Sequence, residues 1–461
     1  MNLKDSTADD FRTLVQAARP TLFSATSRPE LITSLVFANL MSERLWSASR
    51  QIAGSSSASP SGKRPAEMLA RIHKFVNGRF YHARPLEFAR IYGLHEREYI
   101  ADAADLEAND YAMGILARGF EQRMGKVSWA PMLLEFLKMG LFPEYVYPTV
   151  DVILAHRPLL RDLPGKPLGM TSCADECILI ASLALALRCC NLDDIIFLGS
   201  PFHYSLFLFP EGGDGFWFNA KREFFEGGSW KALHGGGSGG NAKQAFEERM
   251  LIFDRVITPR GHAVFPLKKS TLSRVEVHAL LEKMNRFLGM ELEVDPDVQE
   301  KEEVRLRGPL PSIEGCTSGE EFSRRVREWI DVTRGPSDAA CLYTFRHIDV
   351  PDPSVYVSAA LNGYKSLLRS AEVSNLDDAV SMVSQIPGRE SIFGGSSRVA
   401  LPDEVLLFDT ANGNERMLLL YALLMHSPAF PRSDKDAFSI GQASHSWSIR
   451  CLNREFVGAD L

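Results

Sequence analysis

The apolar positions of this chain change period along its length. Up to about residue 158 they recur at steps of three and four: Phe11, Leu14, Val15 and Ala18, then Leu31, Leu35, Phe37, Leu40 and Leu45, then the runs EMLARIHKFV and DYAMGILARGFEQRMG. That spacing predicts helices, with Gly114, Gly119 and Gly125 as interruptions or caps. The stretch AGSSSASPSGKRP, residues 53–65, breaks the pattern with small and polar residues and two prolines, which bury no face and predict a linker.

The text changes at residue 171. TSCADECILIASLALALR predicts a helix with Thr171 or Ser172 as N-cap and the acids Asp175 and Glu176 in its first turn. The rest of it is apolar on nearly every face, so it belongs in the middle of a domain. Three short runs rich in β-branched and aromatic residues follow, DIIFLGS, HYSLFLF and GFWFNAK, separated by PF and PEGGD. The inferred unit is a buried helix on an antiparallel sheet, an α+β fold. GGSWKALHGGGSGG, residues 227–240, reads as a mobile lid, and ELEVDPDVQEKEE, residues 291–303, as an acidic linker. Beyond it EEFSRRVREWIDV, YVSAALNGYKSLLRSAEV and ERMLLLYALLM predict helices, and AFSIGQASHSWSIRCLNREFV returns to strand. The expected organisation is a helical segment 1–52, a linker 53–65, a helical region 66–160, an α+β core 161–290, a linker 291–320 and a second α+β domain 321–461.

Composition narrows the function. With 461 residues, 45% hydrophobic and 24% charged, the chain is long enough for two to four globular domains. The net charge of -7 argues against a general nucleic-acid-binding surface. The longest strongly apolar run, Cys177 to Leu187, is too short to span a bilayer, and the start MNLKDSTADDF lacks the cationic and apolar regions of a signal peptide. Seven cysteines, with Cys189 and Cys190 adjacent, do not form a secreted disulfide framework, so a reducing cytoplasm is expected.

Chemistry concentrates in the central stretch. A cysteine at a helix N-terminus is placed for a lowered thiol pKa, because unpaired amides and the dipole favour the thiolate, and Cys173 holds that place. His203, thirty residues on, opens the strand HYSLFLF and is the candidate base. Asn219 on the next strand is the candidate orienter of the imidazole, with Glu223 as the spare. Cys177, Cys189 and Cys190 read as core. The absence of paired CxxC, of HExxH and of a phosphate loop removes any expectation of a metal or cofactor, and no acidic loop has calcium-ligand spacing. His73, His82, His95 and His156 read as surface or capping groups, and His234 as a residue that a closing lid brings to the site.

SCADECILIASLALALR, GSPFHYSLFLF and GFWFNAK, in that order, resemble the transglutaminase-like branch of the papain-like cysteine enzymes over residues 166–222. That family has a cysteine opening a buried helix, a histidine opening a strand, and an aspartate or asparagine near a tryptophan. The resemblance implies a Cys173, His203, Asn219 triad, with Trp217 at the aromatic position and a protein or peptide as substrate. The third residue departs from the branch, which more usually has aspartate; asparagine is the papain residue. Two readings follow: an enzyme that passes an acyl group from a Cys173 thioester to water or an amine, and an inactive scaffold of this fold that binds a protein partner. ANGNERMLLLYALL followed by FSIGQASHSWSI has a similar outline, with Asn412 in the place of Cys173 and His445 in that of His203. A degenerate second copy and chance similarity of core elements both account for it.

Overall fold

The computed structural model describes residues 29–54, 65–82, 169–171, 173–200, 203–210, 215–219, 223–226, 231–234, 255–264, 269–270, 274–288, 299–300, 310–333, 346–347, 357, 360–361, 373–393, 398–443 and 446–458. They fall into two units divided after Gly335. Each mixes helices with antiparallel sheet, the α+β class expected.

The first unit begins with three helices. Pro29–Leu40 (α1) turns at Met41–Ser42 into Glu43–Ala53 (α2), where the Ser42 hydroxyl accepts the Arg44 amide as N-cap. Pro65–Arg79 (α3) starts on a proline, tolerated there because the first helical amide has no intrahelical partner. Strands Phe80–His82 (β1) and Gly169–Thr171 (β2) pair in parallel and lead to Cys173–Ala186 (α4). Every residue of α4 after Cys173 is buried, as a helix apolar on all faces requires. Its neighbours are α1, α2, α3 and the sheet, and its one hydroxyl in the apolar stretch is satisfied: Asn39 Nδ2 donates to Ser182 Oγ, which donates to Ile178 O.

The helix stops in a Schellman turn. Arg188 N–H reaches Leu185 O and Cys189 N–H reaches Ala184 O, with Arg188 left-handed at φ 58°. Glycine usually takes that position. Here the Arg188 guanidinium offsets the strain by donating to Ile313 O at 2.6 Å and Cys316 O at 2.9 Å.

A meander follows: Ile195–Ser200 (β3), His203–Leu208 (β4), Phe216–Asn219 (β5), Glu223–Glu226 (β6) and Lys231–His234 (β7). The strands Arg255–Thr258 (β8), Gly261–Val264 (β9) and Lys269–Ser270 (β10), the helix Arg274–Leu288 (α5) and the strand Gln299–Glu300 (β11) complete it. Among the described residues nine strands form one sheet in the order β11-β10-β9-β8-β3-β4-β5-β6-β7, antiparallel except for β10 with β11. Side chains alternate along each strand, so the register separates two faces. Phe207 lies on one and meets Phe287 of α5 edge-on at 4.9 Å; Phe218 lies on the other and meets His73 of α3 at 5.8 Å. The α4 helix, packed on α3 and α1, belongs to the Phe218 side. Two ion pairs tie α5 and the β8–β9 turn to the start of β3, Lys283 with Asp194 and Arg260 with Asp193.

Two expectations are corrected here. The linker at 291–320 and a domain start at 321 do not describe the unit boundary: Gly319–Thr333 (α6) belongs to the first unit, where Phe322 and Trp329 flank the Phe37 ring at 6.0 and 6.3 Å. A Cβ at Gly319 would lie 2.6 Å from Met41 O, so only glycine lets the helix start approach that corner. The glycine-rich segment 227–240 is not all lid, because four of its residues are β7 at the sheet edge.

The second unit contains Leu376–Ser384 (α7), Pro402–Phe408 (α8), Gly413–His426 (α9) and the short Arg432–Lys435 (α10). A meander of Ser439–Ala443 (β12), Ser446–Cys451 (β13) and Arg454–Val457 (β14) ends it, with α9 packed on β13. Among the described residues of both units no helix is long and apolar enough to cross a membrane.

Candidate active site

Cys173 is the first residue of α4 and is half-buried. Its sulfur receives the backbone N–H of Tyr204, the second residue of β4, and that of Ala174. The helix start and the beginning of β4 are therefore in contact, and Tyr204 directly follows His203.

The charge state of the thiol is opposite to the expectation. Burial pushes the Cys173 thiol up to about 12; the two backbone donors oppose this, and the carboxylates of Asp175 and Glu176 add to it. Both acids are buried, since a helix enclosed on every side has no solvent face for its first turn. A helix-end potential of fractional charge does not outweigh desolvation beside two carboxyl groups. Cys177, one turn on, and Cys190 are also raised well above the ordinary thiol value, and Cys189 to about 12, in each case first by burial. All three are core residues, as expected.

These shifts make stability pH-dependent. A thiol whose folded pKa lies above its unfolded one favours the folded state below about pH 9, and that contribution is lost as pH rises towards the folded value. Urea midpoints should fall from about pH 9 upward, and Cys173→Ala should retain on the order of 1 kcal/mol more of its neutral-pH stability than wild type at about pH 10. Parallel declines in the two proteins would contradict the buried, neutral thiol.

His203 is the first residue of β4, opposite Ser200. Asn219 is the last residue of β5, opposite Ser205 on one side and Glu223 on the other. Glu223 is thus on its own strand, level with Asn219, and not a continuation of the same run. By alternation, positions 203, 205 and 219 share the α5 side of the sheet, while position 204 is on the side of α4. The register therefore puts position 203 on the opposite face of the sheet from α4, which Cys173 opens. Trp217 is fully buried, stacked at 6.2 Å on Phe207. His234 ends β7 opposite Phe224, and Thr171 ends β2; Ser172 lies outside the described residues.

One histidine was misread from the sequence. His73 is not a surface or capping group; it is buried with Met68, Leu69, Ile72 and Val76, and Asn77 Nδ2 lies 2.8 Å from its Nε2. The signal was present, because position 73 is four residues after Leu69 on the buried stripe. His82 is the last residue of β1, and His95 and His156 lie outside the described residues. Among the described residues no cluster of His, Cys, Asp or Glu has metal-holding geometry.

The second unit has one comparable contact. Trp447, the second residue of β13, donates its buried backbone N–H to Asn414 Oδ1 at 2.9 Å, as Tyr204 donates to Cys173. Asn414 is in the first turn of α9 and takes the place of the thiol there, whereas Asn412 is the N-cap, accepting the Glu415 amide at 3.0 Å. His445 lies outside the described residues. The chain matches no family model, no curated protein and no solved structure.

Proposed function

We propose that the first unit is a papain- or transglutaminase-like cysteine enzyme that transfers acyl groups, with Cys173 as nucleophile, His203 as base and Asn219 as orienter. The reading rests on one observation: the Cys173 sulfur, at the start of an enclosed helix, lies against the backbone amide next to His203. A thiol near 12 is neutral at physiological pH, so the base must take its proton as the bond forms and no preformed thiolate serves. The sulfur attacks an acyl carbon, the thiol proton passes to the imidazole and then to the departing amine or alkoxide, and water or an amine resolves the thioester. The backbone amide of Cys173 is a donor offered to the oxyanion. A protein or peptide is the proposed acyl donor.

Exposure to p-nitrophenyl acetate near pH 7.5, followed by peptide mass spectrometry, should find the acetyl group on Cys173 and lose p-nitrophenolate release in Cys173→Ala. Acetylation spread over Cys316 and Cys451, with Cys173 untouched, would overturn the assignment. The raised thiol favours a second reading, an inactive scaffold of this fold that binds a protein partner, in which Cys173 is only a core residue.

A further inference from the structure

An outer strand of a sheet presents backbone amides and carbonyls to any other extended chain. Among the described residues the outer strands of the two larger sheets are β7, β11, β12 and β14, and three of them are blunted. A bulge at Phe224–Phe225 breaks the pairing of β6 with β7, β11 is two residues long, and β14 carries the exposed charges Arg454 and Glu455. β12 has none of these devices. It reads SIGQA, without charge or proline, and pairs with β13 through five consecutive levels. On its other side it has no partner strand among the described residues, and Ser439 and Gly441 are exposed. The two-residue turn at Leu452–Asn453 closes on the hydrogen-bonded pair Cys451 and Arg454, so odd positions of β13 bond towards β14 and even positions towards β12. Trp447, an odd position, accordingly donates its N–H to Asn414. Gly441, level with Ser448, is bonded inward, which turns the amides and carbonyls of Ile440 and Gln442 outward. Nothing in its own chain requires glycine at 441: its φ is not left-handed, and a Cβ there would meet no atom within 4 Å. Glycine weakens a strand interior, and one recurring reason for it is the close approach of another backbone.

We propose that two copies of this chain associate through β12, the two strands lying antiparallel about a two-fold axis at Gly441. The axis sets Ile440 level with Gln442 of the second copy on either side, two hydrogen-bonded pairs that each exchange both bonds. Gly441 then faces its own copy in a non-hydrogen-bonded pair, the closest approach in an antiparallel ladder at about 4.5 Å between Cα atoms. Such an axis also brings a charge at its centre against its equivalent, and β12 has no charge to repel. The two three-stranded sheets continue as one. A five-residue edge is much smaller than a permanent interface of roughly 1,200–2,000 Å², so the association is weak and concentration-dependent. The inference concerns the second unit alone and is independent of the acyl-transfer reading.

Sedimentation velocity of the full chain, from micromolar to near-millimolar concentration, should show a dimer that grows with concentration. Gly441→Glu and Gly441→Lys each set like charges opposite one another, in space that is open in the single chain, and should weaken association about fivefold or more without lowering the urea midpoint. An equimolar mixture of the two variants should dimerise at least as well as wild type, because opposite charges then meet at the axis. Hydrogen exchange needs no variant: in wild type the peptide over Ser439–Ala443 should gain protection as concentration rises, and the peptide over Arg454–Val457 should not. A wild-type chain that stays monomeric, a dimer indifferent to both substitutions, a mixture no better than either variant, or exchange over Ser439–Ala443 that ignores concentration would overturn the proposal.

Discussion

His203→Ala is expected to slow acetylation of Cys173 by p-nitrophenyl acetate by about 10²–10⁴-fold near pH 7.5, the range that general-base catalysis supplies. The size of the effect follows from the thiol. A cysteine with an ordinary pKa keeps a few per cent of thiolate near neutrality and reacts without help. Cys173, enclosed and beside the carboxylates of Asp175 and Glu176, has lost that fraction, so nearly all of its reactivity depends on a base that removes the proton during attack. The loss should diminish as pH rises, because hydroxide then ionises the thiol in both proteins. Asp175→Asn should act in the opposite sense, lowering the thiol pKa and partly relieving the need for the base. A His203→Ala protein acetylated at the wild-type rate would leave position 203 as a strand start only.

Arg416→Met is expected to unfold the second unit. Arg416 is fully buried in the first turn of α9, with no carboxylate bonded to its guanidinium in the contacts described; it holds backbone carbonyls instead. It donates to Val383 O at 2.6 Å, Ile386 O at 2.7 Å, Gly388 O at 2.8 Å and Ala411 O at 3.2 Å. The first three carbonyls are the end of α7 and the segment after it, where a helix leaves acceptors without intrahelical donors, and Ala411 directly precedes the N-cap of α9. Methionine fills the volume but removes the described donor from Ile386 O and Ala411 O, while Val383 O and Gly388 O keep the amides of Ile386 and Ala411; the loss is on the order of 2–6 kcal/mol against the 5–15 typical of a whole domain. Lysine does not rescue it, since an ammonium cannot span acceptors that the planar guanidinium reaches together. Hydrogen exchange should lose protection over α7, α9 and β13 in the variant. Unchanged protection there would show that the carbonyls find other donors.

The neighbouring Glu415 completes the same design. Its carboxylate accepts from the Ser391 hydroxyl, the Ala400 amide and the Asn412 amide, all within 2.7 Å, while burial pushes its pKa up. Two oppositely charged neighbours on an apolar helix thus each serve a different stretch of backbone. The sequence ERMLLLYALLM shows the apolar helix but not which acceptors and donors its charged residues meet.

The same division holds for the first unit. The α4 helix and the three strands after it were legible, because the hydrophobic period changes from helical to alternating and prolines and glycines mark the connections. The width of the sheet was not: β10 and β11 are two residues long, and β7 lies inside a glycine-rich run, so their strand character comes from pairing and not from local composition. The unit boundary was misplaced because an acidic run reads as a linker, while the stripe Phe322, Val326 and Trp329 that commits α6 to the first unit becomes decisive only beside Phe37. The positions of Cys173, His203 and Asn219 along the chain were readable as a pattern. The protonation of the thiol was not, since it depends on burial and on two acids that the sequence presents as an ordinary helix start.

The pH profile of Cys173 alkylation, compared between the native chain and His203→Ala, tests the pairing most directly. If the two residues act together, the native profile has a component that rises with deprotonation of an imidazole, near pH 6.5, and exceeds the variant at least tenfold near pH 7.5. The variant then keeps only the alkaline rise of a buried thiol. Superimposed profiles, both rising only towards the thiol value of about 12, would make Cys173 a core cysteine and the unit a scaffold.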